Sequence, residues 1–296
     1  MRTRLATLVA MTLLVAAGAA AAELPPAGGI PDLAGARTLG LSSGVGSALG
    51  NEGLYLNPGA LAVQRRYSVD AGVLFDRRGA ATVDRFVGGS VVDSISAPMT
   101  AAVGYVNVGE GLYHGNFWTL GFAGPVVERF YLGATVKYLA LAGPQEVRAA
   151  TMDAGMLWQV ADYVSVGAAG YNLVPIAKDL VAPRGVGAGI AIGTDRLFQI
   201  TADWRADFDR GQLTSTTPDV RATKNRYGAG AELLLGDLVP LRGGFQVDEV
   251  LDTRWWSVGT GLVSKNGIAL DVGYRQSVDA KTARQIAASL RVFMFQ

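Results

Sequence analysis

The chain contains no cysteine, so disulfides, thiolate metal sites and attachment of lipid to a lipobox cysteine are all excluded. It has one histidine, His114, which rules out a multi-histidine metal site and leaves little room for a histidine-based triad. Charged residues make up only 17% of the chain, with a formal net charge of +1 and no basic block, which argues against nucleic acid as a partner. After the first two dozen residues no apolar run reaches the roughly 18 residues of a membrane-spanning helix. Half of the residues are nevertheless hydrophobic, an unusual pairing with so little charge.

What is present is alternation. Phe198, Ile200, Ala202 and Trp204 fall on one face of a strand, and Gln199, Thr201, Asp203 and Arg205 on the other. Tyr67, Val69, Ala71, Val73 and Phe75 alternate with Ser68, Asp70, Gly72, Leu74 and Asp76 in the same way. Strand side chains point to opposite faces with period two, so each segment reads as a strand with one apolar and one polar face. Met1 to Ala22 reads as an export signal: Arg2 and Arg4, an apolar core from Leu5 to Ala17, and the small residues Ala20-Ala21-Ala22 before Glu23. Cleavage there leaves about 274 residues (296 minus 22). An export signal followed by many two-faced strands predicts an all-β fold, a transmembrane antiparallel β-barrel in the outer membrane of a Gram-negative bacterium.

Turn residues separate about fourteen alternating runs. They are Tyr67–Phe75, Arg85–Val92, Met99–Val108, Phe117–Val126, Arg129–Leu141, Ala149–Val160, Val164–Asn172, Gly185–Gly193, Phe198–Ala206, Asn225–Leu235, Pro240–Val247, Arg254–Val263, Ile268–Gln276 and Arg284–Phe295. Connectors alternate between short ones, such as Val127-Glu128 and Gly236-Asp237, and longer ones, such as Leu173–Arg184 and Asp207–Lys224. Outer-membrane barrels have short periplasmic turns and longer outer loops, so the pattern predicts a periplasmic N-terminus and an even number of strands. Aromatics sort by depth into two expected girdles: Tyr67, Phe130, Trp158 and Phe198 near one set of ends, and Phe75, Trp118, Tyr138, Trp204, Tyr227, Trp256 and Tyr274 near the other.

The polar faces carry a candidate lumenal charge network. Its acids are Asp70, Asp153, Asp203, Glu232 and Asp271; its bases are Lys137, Arg205, Arg226, Arg242, Arg275 and Arg291. Near-equal numbers of each sign predict internal neutralisation, with no strong ion-selective ring. A closed barrel leaves no open edge, so the first and last strands must pair. Antiparallel pairing brings Asp70 beside Arg291, with Arg275 or Asp271 sharing the cluster. Glycine-rich runs such as Gly185–Gly189 and Gly228–Gly230 lack the lysine of a phosphate loop and read as strand packing. No catalytic constellation stands out, and neither a cofactor nor a metal is expected.

Residues 23–66 do not alternate and end in Asn57-Pro58-Gly59-Ala60-Leu61-Ala62, where Pro58 and Gly59 favour a tight turn. The segment reads as a plug inside the barrel, giving three parts: signal 1–22, hatch segment 23–66 and barrel 67–296. The runs Ala36-Arg37-Thr38-Leu39-Gly40-Leu41, Gly44-Val45-Gly46-Ser47-Ala48 and Gly53 to Ala62 resemble the N-terminal hatch of the long-chain fatty-acid channel (FadL) superfamily, which includes the PorV-like barrels of type IX secretion. The resemblance implies fourteen strands and a hatch motif at Asn57, Pro58, Gly59 and Leu61. It also implies one of two roles: passive transport of small hydrophobic molecules past the hatch, or a non-transporting barrel anchoring an envelope-spanning secretion or gliding-motility complex. The corresponding partners are outer-membrane lipid together with a hydrophobic small molecule or other envelope-complex proteins. The chain departs from the pattern in its short outer loops, in keeping only Glu52 of the usual acidic residues, and in ending at Gln296 rather than an aromatic.

Overall fold

The computed structural model describes residues 35–77, 83–109, 113–143, 146–176, 182–194, 197–208, 223–264, 266–279 and 282–295. The export signal, the first part of the expected hatch segment and Gln296 lie outside the described residues.

The strands are β1 (Arg66–Arg77), β2 (Asp84–Asp93), β3 (Thr100–Gly109), β4 (His114–Val127), β5 (Phe130–Ala142), β6 (Val147–Ala161), β7 (Val164–Tyr171), β8 (Gly185–Gly193), β9 (Phe198–Asp207), β10 (Lys224–Leu235), β11 (Val239–Asp248), β12 (Thr253–Ser264), β13 (Ile268–Ser277) and β14 (Arg284–Phe295). Each pairs antiparallel with its sequence neighbours, and β14 returns to pair with β1, closing the barrel. Closure matters because an unpaired edge in hydrocarbon would strand a row of backbone donors and acceptors. The seam runs from Arg66↔Phe295 to Arg77↔Arg284 and sets Asp70 opposite Arg291.

Alternation sorts the side chains as the period-two pattern requires. On β9, Phe198, Ile200 and Trp204 are exposed on the outer wall, while Gln199, Thr201 and Arg205 are buried toward the lumen. The outer wall is continuously apolar through Val103, Leu120, Val136, Ile200, Leu241, Val258, Val272 and Leu290. Tight turns such as Glu128-Arg129 and Asp162-Tyr163 close one rim, and the strand ends joined by the longer connectors after β7 and β9 lie at the other. These are called here the short-turn rim and the long-loop rim.

Residues 35–65 lie within the barrel. They form a short helix α1 (Ala36–Leu41) and two 3-10 turns, Gly50–Leu54 and Pro58–Ala62, every residue of which is buried. Helix α1 packs on β10 to β14, and the second turn on β3 to β6. The approach is close enough to dictate the wall's residues. A Cβ on Gly230 or Gly244 would overlap the Leu41 carbonyl. The glycines of 228–230, expected to serve strand packing, therefore make room for the inner segment's backbone: a Cβ at Gly228 would overlap the Ser42 carbonyl.

Candidate functional site: the lumen and its inner segment

The inner segment is held by polar contacts at three places. Asn57 caps the second 3-10 turn, its Oδ1 accepting from Gly59 N–H at 3.1 Å, while its Nδ2 donates to the carbonyls of Val45 and Met156, both at 2.9 Å. One side chain thus ties the turn to the preceding loop and to β6. Pro58 fixes the first position of the turn, Gly59 packs on the β6 backbone, and Leu61 is fully buried. The second clasp is Asp203, whose carboxylate accepts from the backbone N–H groups of Gly44, Val45 (2.7 Å) and Gly46 (3.4 Å). Consecutive N–H groups converging on one carboxylate replace the hydration it loses on burial.

The third is a chain of ion pairs. Arg291 donates to Asp70 at 3.1 Å and lies 3.8 Å from Glu52. Glu52 accepts from Arg37 at 3.1 Å, and Arg37 also pairs with Glu232 at 3.1 Å. Glu232 in turn meets Arg242, which reaches Asp271. Arg37 spends the rest of its guanidinium on the Ser47 carbonyl at 3.2 Å and Gln199 at 3.2 Å. Two members, Arg37 and Glu52, come from the inner segment; the rest are on the wall.

The other charges make contacts of their own. Arg205 and Arg226 share Asp207, at 2.9 and 2.7 Å, and the Arg205 guanidinium stacks 4.1 Å from the centre of the Tyr171 ring. Lys137 pairs with Asp153 at 2.7 Å, and Asp153 also accepts from the Asn172 N–H. Arg275 bonds to Gln285 at 3.0 Å and to Gln246, and lies over Trp255. Of the two candidates for sharing the Asp70–Arg291 cluster, Asp271 belongs to the chain of pairs through Arg242. Arg37, Glu52 and Asp207 were not among the expected lumenal charges. Arg37 and Glu52 stand in the segment that resembles a hatch, and Asp207 directly after an alternating run, at the start of a connector; these were the only signals for them.

The lumen is also two-sided in polarity, which the alternation did not foretell. Toward the long-loop rim, the inward faces of β1 to β6 are apolar: Leu74, Phe86, Val106, Phe117, Leu139 and Val147 pack with Tyr55 of the inner segment and Ile176 of the β7–β8 connector. Most of the lumenal charges line β9 to β14, while Asp70 stands on β1 and the Lys137–Asp153 pair on β5 and β6. A cavity of about 60 Å³ lies between Leu39, Tyr55, Leu74, Phe86 and Val106. A second, of about 100 Å³, is bounded by Ser42, Tyr171, Arg205, Arg226 and Arg275 on the long-loop side. On the short-turn side a cavity of about 490 Å³ opens among Arg37, Arg66, Arg242, Arg291 and Phe293. The inner segment contributes to the walls of all three.

Among the described residues no cluster of three or more histidine, cysteine or acidic side chains could hold a metal. No protein-family model matches the chain, and no curated protein sequence does. Solved structures do match. The CymD monoaromatic hydrocarbon channel aligns with a TM-score of 0.64 at 15% identity, over 89% of this chain and 97% of that one. A FadL homologue from Pseudomonas aeruginosa aligns at 0.61 and 11%, over 88% and 97%. The Pseudomonas putida toluene transporter TodX aligns at 0.60 and 12%, over 88% and 96%. The fold is that of an outer-membrane β-barrel. Within that class it is FadL-like, matching those channels over nearly their whole length.

Proposed function

We propose that this chain is an outer-membrane channel that passes small hydrophobic molecules, with residues 35–65 acting as its hatch. The observation that carries the reading is the position of that segment: it stands between an apolar sector on the long-loop side and a 490 Å³ cavity on the short-turn side. A hydrophobic molecule would be desolvated along β1 to β6 and halted where Leu54, Tyr55 and Leu61 close the lumen. The solved channels with the same fold, one a monoaromatic hydrocarbon channel and one a toluene transporter, support this class of cargo. The short-turn rim and the N-terminus face the periplasm in this reading, as short turns do in outer-membrane barrels.

Passage requires the segment to move, and the absence of cysteine makes that directly testable. Ser43 of the inner segment and Thr201 of β9 touch through their hydroxyls. The pair Ser43→Cys/Thr201→Cys should form a disulfide that locks the segment to the wall. In reconstituted vesicles, uptake of a fluorescent naphthylamine should fall to the protein-free rate when the lock is oxidised and return on reduction. Equal uptake in both states would refute the hatch. Uptake no faster than in protein-free vesicles, with another envelope protein copurifying, would favour the anchoring role. Orientation is read separately: His114→Cys should react with an impermeant maleimide on intact cells, and Glu128→Cys should not.

A further inference from the structure

The lumenal wall of β3, β2, β1 and β14 changes character over three successive inward rows. Nearest the short-turn rim, Gly104, Ser90, Asp70 and Arg291 stand in register across the four strands. Two residues further along each strand the row is Val106, Gly88, Gly72 and Ser289, and beyond it Val108, Phe86, Leu74 and Ala287. The lowest row is polar and the highest apolar. Between them the wall recedes at Gly88 and Gly72, which carry no side chains. The 60 Å³ cavity lies there, closed on its inner side by Leu39 and Tyr55.

The polar groups at this cavity are not saturated. Asp70 accepts from Arg291 at Oδ2, and its Oδ1 has no hydrogen-bond partner among the described residues. Ser289 and Tyr55 are 7% and 8% exposed, yet neither hydroxyl makes a hydrogen bond among the described residues. The Tyr55 oxygen takes the place of the missing Gly104 side chain, 2.5 Å from where a Cβ would stand, which sets it level with Ser90 and Asp70. Ser90 accepts from Asn51 Nδ2 at 2.9 Å and donates to no described group. Buried polar groups are normally paired, so an acceptor and several donors converging on one cavity mark a place for a group that pairs them.

We propose that this cavity receives the hydroxyl end of a slender aliphatic alcohol and thereby selects the cargo. The inference rests on the channel reading above in treating the ligand as cargo. A hydroxyl matches both kinds of group, donating to Asp70 Oδ1 while accepting from Tyr55 or Ser289. A carboxylate end would meet the Asp70 carboxylate, and an ammonium end the Arg291 guanidinium that holds Asp70 at 3.1 Å. A bare hydrocarbon would cover these groups without pairing them, which a site built for hydrogen bonding penalises. Size sets the shape of the ligand. An apolar cavity that admits benzene is about 150 Å³, so 60 Å³ takes a hydroxyl with its first carbons rather than a ring. The rest of the chain lies along Leu74, Phe86 and Val106.

The test uses the full chain in lipid nanodiscs and a fluorine NMR titration with three probes fluorinated at the remote end: hexanol, its methyl-for-hydroxyl analogue heptane, and hexanoate. Empty nanodiscs titrated alongside give the lipid partitioning to be subtracted. The alcohol should bind roughly 100-fold more tightly than the alkane, through one hydrogen bond to a charged acceptor and one from a neutral hydroxyl. Tyr55→Phe/Ser289→Ala removes two hydroxyls that bond to no described group. Its melting temperature should therefore stay as in the parent while affinity for the alcohol falls about five-fold. A control at the exposed Tyr163 of the short-turn rim, Tyr163→Phe, should bind as the parent does. Equal binding of alcohol and alkane, as a cavity that holds only water would give, overturns the site, and this comparison needs no variant to fold. Undiminished affinity in a folded double variant overturns it too. Hexanoate binding as tightly as the alcohol overturns the choice of a hydroxyl. The disulfide lock reads the channel separately: gated uptake without alcohol selectivity overturns this inference alone, whereas selective binding with ungated uptake overturns the hatch and the role in cargo selection together.

Discussion

Replacing Arg37 by methionine should loosen the inner segment without opening the barrel. Arg37 is 5% exposed and holds two buried carboxylates, Glu52 and Glu232, each at 3.1 Å. Methionine keeps much of the aliphatic stem but leaves those acids with one fewer cation. Removing one partner of a buried pair costs about 3–5 kcal/mol when the other charge is stranded. Here neither is wholly stranded, because Glu232 keeps Arg242 and Glu52 keeps Arg291 at 3.8 Å, so the lower end applies, about 3 kcal/mol. That loss falls on docking of residues 35–65, since the interstrand ladder contains none of the lost bonds. A difference of 3 kcal/mol raises the undocked population roughly 100-fold. Hydrogen exchange of backbone amides in α1 and at Ser47 should accelerate by a similar factor, while amides of β10 to β13 keep their protection. Arg37→Met/Glu52→Gln should recover part of the loss by removing a carboxylate that has lost its cation. Unchanged exchange in α1, or equal acceleration of the strands, would refute the reasoning.

The seam offers an independent check. Charge reversal at Asp70 or Arg291 should each lower the melting temperature, single losses being about 1.5–3 kcal/mol for a charged hydrogen bond, and the double swap should recover part; simple additivity would break the Asp70↔Arg291 register. On the outer wall, Ala202→Arg should cost roughly 2–4 kcal/mol in a lipid-refolding titration if it sits near the midplane, and a neutral result would reverse the assignment of faces. At the long-loop rim, the Arg254 side chain and then its backbone N–H hold Asp279 below the usual carboxylate range. Its folded pKa being depressed, the tether is complete above the unfolded carboxylate pKa and is lost as pH falls through the folded one. A carboxyl NMR titration of Asp279 should therefore be shifted to lower pH, and Arg254→Gln should return it toward normal.

The wall of this protein was legible because each strand carries its own evidence. Period-two alternation needs no distant residue, and all fourteen alternating runs coincide with strands. Ends were less exact where hydrogen bonding continues past the apolar band: β4 begins at His114 rather than Phe117, because residues 114–116 pair with 140–142 of β5. The lumen was harder to read. Alternation says that Asp203 points inward, but not that it closes on the amides of Gly44 to Gly46 more than 150 residues earlier. It likewise marks Leu74, Phe86 and Leu139 only as facing inward, and an inward face had been read as polar. Tyr55 and Ile176, which make that sector apolar, come from stretches with no strand periodicity.

The ion-pair chain across the lumen also sets a timetable for assembly. Arg37 reaches Glu232 across 195 residues of sequence, and Arg291 reaches Asp70 across 221. Contacts of such separation cannot reward the chain until nearly all of it has been delivered, and they slow folding accordingly. The segment that would obstruct the lumen is thus among the earliest parts made and the last to find its partners. A chain truncated before β10 would present the inner segment with neither Glu232 nor Arg242 to hold it.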